Sequence, residues 1–175
     1  MQAGGVMKQQ IGLILLSTIM ATAAWAVDAV KNPVTPKHSV MVFVSMSMPK
    51  QSLIATLHDA NKIQASVVMR GLVHNSFKET FQEVASLVKE AGGGGIELNP
   101  MVFKKFNIET VPAVVVISPD NPCLSQQKCD RQRDYDVMAG NIPLAAALKE
   151  IRDRGVAAPE EARHALNVLQ EGAHV

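Results

Sequence analysis

The stretch Thr110-Val111-Pro112-Ala113-Val114-Val115-Val116-Ile117 places a proline at the head of an uninterrupted apolar run rich in β-branched residues. Proline lacks the N–H that a sheet ladder needs, so it is found at the first residue of a strand or on an edge. The run therefore predicts a buried strand that opens at Val111-Pro112. An X-Pro bond at such a corner is also where a cis peptide is most often kept, and the sequence leaves both isomers open.

Strand-like and helix-like patterns alternate on both sides of this run. Apolar or β-branched runs predict strands at Val40–Ser45, Ala65–Met69, Ile96–Leu98, Val111–Ser118 and Tyr135–Met138. Start signals and helical spacing predict helices from Pro49, from the capping box Ser76–Glu79, from Asn99-Pro100, from Asn141 with Pro143 in the first turn, and over Pro159–Gln170. The order is β-α-β-α-β-α-β-β-α followed by a short tail helix, which predicts an α/β fold.

The helix that begins at Ser76 carries an apolar stripe and is followed by a run of glycines. Its apolar residues recur at helical spacing: Phe77, Phe81, Val84, Ala85 and Val88. Gly92–Gly95 come next, and a glycine is favoured at this point because it can adopt the left-handed conformation of a helix cap. The sequence therefore predicts that the helix ends there.

The first 26 residues have the pattern of a secretory signal. Lys8 precedes an uncharged, apolar stretch, and Ala24-Trp25-Ala26 matches a cleavage site better than a retained membrane anchor. We expect cleavage after Ala26, a flexible leader over 27–38, a folded domain over 39–155 and a helical tail over 156–175. No later apolar run reaches membrane-spanning length, so we expect an exported chain without a membrane span.

The charge balance argues against nucleic acid as a partner. The chain has 17 basic and 16 acidic residues, and loss of Lys8 with the signal leaves 16 of each. Nucleic-acid-binding surfaces carry a basic patch and aromatic residues for stacking, whereas aromatic residues make up only 4% of this chain. Proteins are therefore the expected partners.

A β-branched strand that opens on Val-Pro late in an α/β chain resembles thioredoxin-like domains, in which this proline faces a Cys-x-x-Cys pair. The resemblance implies a three-layer sandwich around a mixed central sheet. In redox-active members the first cysteine lies at the start of the helix after the first strand, where the helix dipole lowers the pKa of the thiol. Here that corner reads Ser45-Met46-Ser47-Met48-Pro49-Lys50. Thiol–disulfide exchange at this corner is excluded, and neither serine has an adjacent base in the sequence.

The two cysteines, Cys123 and Cys129, are separated by five residues in a polar loop. A signal peptide implies an oxidising compartment, in which a loop disulfide is the favoured interpretation. Such a short loop would contribute about 2–3 kcal/mol in the chain-entropy model. The alternative is a catalytic dithiol, which is disfavoured because neither cysteine lies at a predicted helix start. A zinc site would need two further ligands, and no paired histidines are close in sequence.

No metal or cofactor is expected elsewhere in the chain. Met46 and Met48 carry thioethers that suit Cu(I), but with no cysteine or histidine nearby we favour packing or partner contact. The histidines are scattered: His38, His58, His74, His164 and His174. An alternating run of charges is interpreted as a solvated loop and strand rim: Arg131, Arg133, Asp134 and Asp136.

Several blocks together resemble the TrbC proteins of F-type conjugative transfer systems, which are pilin assembly proteins. The blocks are Val42-Phe43-Val44-Ser45-Met46-Ser47-Met48-Pro49, Val68-Met69-Arg70-Gly71-Leu72, Ile96-Glu97-Leu98-Asn99-Pro100, and Phe106-Asn107-Ile108 leading into Thr110-Val111-Pro112-Ala113. The resemblance covers roughly Ser39 to Arg154, and the tail after Gly155 lies outside it.

The resemblance implies a thioredoxin-like protein of the periplasm that takes part in building a conjugative pilus or mating pore, with a TraW-like protein as partner. It implies no enzyme activity and no cofactor. Candidate partner-contact or frame positions are Ser47, Met48, Pro49, Arg70, Gly71, Thr110, Val111 and Pro112. The competing hypothesis is a periplasmic thiol–disulfide oxidoreductase or isomerase that uses Cys123 and Cys129. A secreted binding module of unrelated purpose is a third class.

Overall fold

A computed structural model describes residues 39–119, 129–131 and 133–171. The strands are β1 (Val40–Val44), β2 (Ser66–Met69), β3 (Glu97–Leu98), β4 (Ala113–Ile117) and β5 (Tyr135–Ala139). The helices are α1 (Lys50–Lys62), α2 (Phe77–Glu90), α3 (Pro100–Lys105), α4 (Leu144–Arg154) and α5 (Pro159–Glu171), with a 3-10 turn at Val73–Asn75 before α2. The expected signal and leader, and Cys123, lie outside the described residues.

The five strands form one mixed sheet in the order β3-β2-β1-β4-β5. β1 pairs in parallel with β2, and β2 with β3, whereas β4 is antiparallel to both β1 and β5. Every residue of β1 and β4 is buried. Both strands read as unbroken apolar runs because both of their faces are covered. The mixed central sheet predicted from the sequence is confirmed.

Helices cover the two faces of the sheet unequally. On one face, Val40, Val42 and Val44 share a core with the buried residues of α1, α2, α4 and α5. On the other face, Met41 and Phe43 pack against Phe103, Phe106 and Ile108, which come from α3 and the residues after it. The result is three layers, with a thick helical layer on one face and a thin one on the other.

The ends of α2 follow the sequence signals only in part. Ser76 Oγ accepts a hydrogen bond from Glu79 N–H at 3.3 Å, as a capping box requires. The return bond is not formed: Ser76 N–H donates to Val73 C=O at 2.8 Å, and the Glu79 carboxylate bonds His74 Nδ1 at 2.8 Å. At the other end the predicted glycine cap is confirmed: Gly92 has φ 82°, and Gly93 N–H donates to Val88 C=O at 2.9 Å.

The apolar stripe of α2 is helical, but its aromatic members point to solvent. Phe77 and Phe81 are 71% and 73% exposed. The residues of α2 that are buried are Thr80 and Leu87. The apolar surface of the helix is therefore wider than the part that the sheet and α1 cover, and spacing alone does not distinguish the two parts.

The interpretation of the charged run as a solvated rim is wrong for two of its residues. Asp134 is fully buried, and its carboxylate accepts hydrogen bonds from Asp130 N–H at 2.8 Å and from Arg133. The Asp136 carboxylate accepts from Val156 N–H at 3.0 Å and from the N–H groups of residues 157 and 158 at 2.9 and 2.8 Å. These carboxylates organise chain turns because buried N–H groups require partners.

The two last helices pack tightly on each other. The predicted Asn141 cap of α4 is wrong, because the N-cap position is Pro143, with no side-chain cap, and α4 begins at Leu144. The C=O of Pro143 accepts from Ala147 N–H at 3.1 Å. α5 buries Ala162, Ala165, Leu166 and Leu169 in the core shared with α4. Within the described ranges, no helix has both the length and the apolar character that crossing a membrane demands.

Candidate functional site

The corner between β1 and α1 is a tight turn held by its own backbone and serines. Met48 N–H donates to Ser45 C=O at 3.0 Å, and Ser45 Oγ accepts from Ser47 N–H at 3.2 Å. The two hydroxyl oxygens lie 2.9 Å apart and bond each other. Their hydrogen bonds are thus used to shape the turn. Pro49 follows, exposed, as the N-cap residue of α1.

Two adjoining cavities open at this corner and share Met46 and Glu83. One has a volume of about 390 Å³ and is lined by Ser45, Ser47, Met69, Arg70, Gly71, Leu72, Val73 and His74 as well. The other, of about 330 Å³, is also lined by Met48, Lys50, Leu53, Ser86 and Leu87. Together they form a surface that we call the corner groove.

Met46 and Met48 are half-buried. They pack against the core that β1 shares with α1, α2, α4 and α5, and they also line the corner groove. Methionine has a flexible, polarisable side chain that adapts to different partner shapes. A groove lined by two such residues next to Leu53 and Leu87 suits an apolar segment of another protein. Among the described residues, no group of three potential ligands is placed to hold a metal ion.

Arg70 joins the end of β2 to the segment before Pro112. Its guanidinium donates to the C=O groups of Ile108 and Glu109 at 3.2 and 3.1 Å and lies 4.9 Å from the centroid of the Phe103 ring. A planar guanidinium can make both kinds of contact at once. Gly71 follows with φ 81°, a conformation that other residues rarely adopt.

Two ion pairs border the corner groove. Lys50 Nζ lies 2.7 Å from Glu90 Oε1, and the hydrogen bond from Lys50 lowers the pKa of the Glu90 carboxyl. His74 Nδ1 lies 2.8 Å from Glu79 Oε2. The hydrogen bond to Glu79, with its negative charge, raises the pKa of the His74 imidazole above its usual value.

The His74 pKa offers a direct test of this geometry. We expect Glu79→Gln to lower the pKa of His74 in an NMR titration, and Glu90→Gln, on the same helix, to leave it unchanged. A raised folded-state pKa means that the pair stabilises the fold at pH values below the unfolded pKa, about 6.5. That stabilisation is lost as the pH rises through the folded-state value. Equal His74 titration in wild type and Glu79→Gln would show that the contact does not form.

Val111 and Pro112 lie at the same end of the sheet. The Val111–Pro112 peptide bond is cis, and the Pro112 C=O accepts from Gly140 N–H at 3.0 Å. Phe43 pairs with Ala113, so Pro112 comes next to the end of β1 from which the corner turn starts. The proline precedes β4 and lies outside the strand that it was predicted to head.

A larger cavity, of about 700 Å³, lies on the opposite face of the sheet. Its walls include Phe106, Ile108, Thr110, Ala113, Cys129, Arg131, Tyr135, Val137 and Ala139. Cys129 is disulfide-bonded, and Cys123 lies outside the described residues, so its pairing with Cys129 stays a prediction. Burial raises the pKa of the Tyr135 hydroxyl, which donates to Phe106 C=O at 3.2 Å.

The structure groups only some of the residues selected from the sequence. Ser47, Met48, Arg70 and Gly71 line the corner groove, whereas Thr110 lines the cavity on the other face. Sequence reasoning missed Glu83, Leu53 and Leu87. Glu83 looks like an ordinary solvated residue of an amphipathic helix, and nothing in its local sequence distinguishes it.

The sheet order, the helix after β1 and the cis-proline before β4 define a thioredoxin-like protein whose corner carries Ser-Met-Ser-Met in place of the cysteine pair. The chain belongs to the family described as type-F conjugative transfer system pilin assembly protein, whose model matches residues 42–151.

A curated relative extends this comparison. The periplasmic protein TrbC of Escherichia coli (strain K12) is 30% identical over 120 residues, which cover 69% of this chain and 50% of that protein. The chain therefore spans about half the length of the curated relative that it matches. No solved structure matches the chain.

Proposed function

We propose that this protein is a periplasmic assembly factor of a conjugative type IV secretion system, which acts in pilus or mating-pore assembly through protein contacts without thiol chemistry. The observation that carries the proposal is the chemistry of the corner. At the position where a helix start would activate a thiol, Ser45 and Ser47 bond each other and two methionines line a groove. The description of the family and the name of the relative support the setting.

The proposal includes export and processing. The signal over residues 1–26 would direct the chain to the periplasm, and residues 27–38 would precede a folded domain over 39–155. A TraW-like component of the same transfer system is the proposed partner. Ser47, Met48, Pro49, Arg70 and Gly71 are its proposed contacts, and Thr110, Val111 and Pro112 frame the neighbouring loop.

The role is tested in donor cells whose transfer system encodes this chain. Deletion of the gene should abolish pilus assembly and plasmid transfer, and the wild-type gene supplied in trans should restore both. A copy without residues 2–26 should fail to restore them because it would not be exported. Transfer at the wild-type level in the deletion strain would contradict the proposal.

A catalytic dithiol is the competing candidate, because Cys129 lines the cavity of about 700 Å³. We expect the purified wild-type protein to be inactive in insulin reduction. The double variant Cys123→Ser/Cys129→Ser should support plasmid transfer once its abundance is matched to wild type. Insulin reduction that disappears in Cys123→Ser, or mixed disulfides with client proteins, would favour the oxidoreductase instead.

A further inference from the structure

Most of the ionisable side chains at the corner groove are held by a partner within the protein. Lys50 pairs with Glu90, His74 pairs with Glu79, and Arg70 donates to two backbone carbonyls. The Glu83 carboxylate has no hydrogen bond or ion pair with any residue that the structure describes, although its charge adds to the effect of Glu79 in raising the pKa of His74. Two charges therefore have no oppositely charged partner in an ion pair among the described residues. Arg70 directs its guanidinium to the Ile108 and Glu109 carbonyls and the Phe103 ring, whereas the Glu83 carboxylate lies where the two cavities meet.

Glu83 also occupies the central position of the groove. It lines both cavities, as does Met46. On one side of it lie Met48, Leu53 and Leu87, and on the other side lie Leu72 and Val73. A segment that lies along the groove must therefore pass over the carboxylate and place apolar side chains on both sides.

The carboxylate restricts what such a segment can be. Covering an ionised carboxylate removes its water, which is costly unless the occupant supplies a charged or hydrogen-bonding partner. An acidic segment would add repulsion, and a wholly apolar one would leave the charge unpaired. Selection of this kind gives specificity even where the ion pair adds little to the affinity.

We propose that the corner groove binds a partner segment in which a lysine or arginine lies between apolar residues, with the basic side chain paired to Glu83 and the apolar side chains against the methionine-lined walls. The inference rests on the proposed function for its biological setting and adds the chemistry of the partner. It predicts a short linear motif with an apolar-basic-apolar pattern in the component that this protein contacts.

The test uses the exported, mature protein labelled with ¹⁵N and three blocked peptides that differ only at the central residue: Ala-Leu-Lys-Leu-Ala, Ala-Leu-Gln-Leu-Ala and Ala-Leu-Glu-Leu-Ala. We expect the lysine peptide to shift the amide signals of Met46, Ser47, Gly71 and Leu87. It should bind about two- to fivefold more tightly than the glutamine peptide, the range for a solvent-accessible ion pair. The glutamate peptide should bind most weakly.

Two variants separate the role of Glu83 from general electrostatics. Glu83→Gln should remove the preference for lysine over glutamine, and the exposed side chain should leave the melting temperature unchanged. Glu171→Gln, which removes an exposed glutamate from the end of α5, should keep the preference. Equal binding of all three peptides, no binding at millimolar concentration, or signal shifts confined to other surfaces would overturn the proposal.

These outcomes are distinct from failure of the proposed function. Loss of transfer on deletion, together with peptides that bind without preference, would reject the basic motif alone. Selective binding through Glu83, together with normal transfer in the deletion strain, would reject the assembly role and retain the binding chemistry. Self-association of the protein through the groove, seen as a dimer by sedimentation that Glu83→Gln dissociates, would overturn the partner motif.

Discussion

Phe43→Ala is expected to lower the free energy of unfolding by about 3–5 kcal/mol, the range measured for large-to-small changes of buried aromatic residues. Phe43 is completely buried in the central strand β1. Its ring lies edge-on to Phe103, with centroids 4.9 Å apart at 90°, and to Phe106, with centroids 6.1 Å apart at 72°. Such edge-to-face pairs add to the stabilisation from burial.

The loss of unfolding free energy would be large because few residues of the thin helical layer could move into the cavity left by the Phe43 ring. Phe103 and Phe106 come from α3 and its end, a helix of only six residues, and tightly packed interiors relax only partially around a deletion. The Arg70 guanidinium lies over the Phe103 ring, so the damage would extend to the segment that leads to Pro112. Peptide binding in the corner groove should weaken as well.

Phe77→Ala is the matched control because it removes the same side chain from a position that is 71% exposed. We expect a change within about 0.5 kcal/mol, as for most surface substitutions. Urea denaturation followed by circular dichroism measures both variants on the same scale. Similar losses of unfolding free energy for Phe43→Ala and Phe77→Ala would show that the ring contacts of Phe43 with Phe103 and Phe106 do not stabilise the thin helical layer.

Asp136→Ala is expected to lower the free energy of unfolding by about 2–4 kcal/mol. The carboxylate accepts hydrogen bonds from three successive N–H groups at 2.8–3.0 Å, and a hydrogen bond to a charged group contributes about 1.5–3 kcal/mol. The chain turns sharply here, between the end of α4 and the start of α5. The three N–H groups belong to residues 156–158, which join α4 to α5, so Asp136 on β5 fixes this connection against the sheet.

The part of the protein that loses hydrogen-exchange protection in Asp136→Ala distinguishes a local role of this carboxylate from general destabilisation. Hydrogen exchange should show loss of protection first in α5, because the segment that leads into it loses its hydrogen-bond acceptor and the positive end of the helix loses a nearby negative charge. Asp136→Asn should have a smaller effect, since the amide keeps one acceptor oxygen. Asp153→Ala removes a carboxylate whose side chain is 46% exposed and bonded to Arg152, and we expect it to leave the free energy of unfolding nearly unchanged. Uniform loss of protection across the sheet would contradict the proposed role of Asp136 in anchoring the segment between α4 and α5.

Much of the fold could be predicted because its signals are local. The apolar runs of β1 and β4 indicate strands whose two faces are both covered, and Ser76 and Gly92 mark the ends of α2 through hydrogen bonds within a few residues. The sequence also shows directly that Pro112 precedes an apolar strand and that the corner has no cysteine. The proline before this strand, in an α/β chain, indicates the thioredoxin-like class.

The functional groove was only partly predictable because its walls come from separate segments. Ser47 and Arg70 could be selected as parts of family blocks, but Glu83 gains its importance only where α2 passes the corner turn. Phe77 and Glu83 lie on the same helix, and periodicity does not show which side of it will be covered. The charge of Glu83 stands out only because the neighbouring Lys50 and His74 have other partners.

The sequence by itself determined the order of strands and helices, the main helix ends, the class of fold and the absence of a cysteine pair at the corner, because each depends on residue types at short spacing. Only the tertiary structure decided that Asp136 anchors the segment before α5, that Asp134 is buried, that Phe77 and Phe81 remain exposed, and that Glu83 lies where the two cavities of the groove meet. Burial and pairing depend on contacts between residues far apart in the chain, and the energy of a charge depends on those contacts.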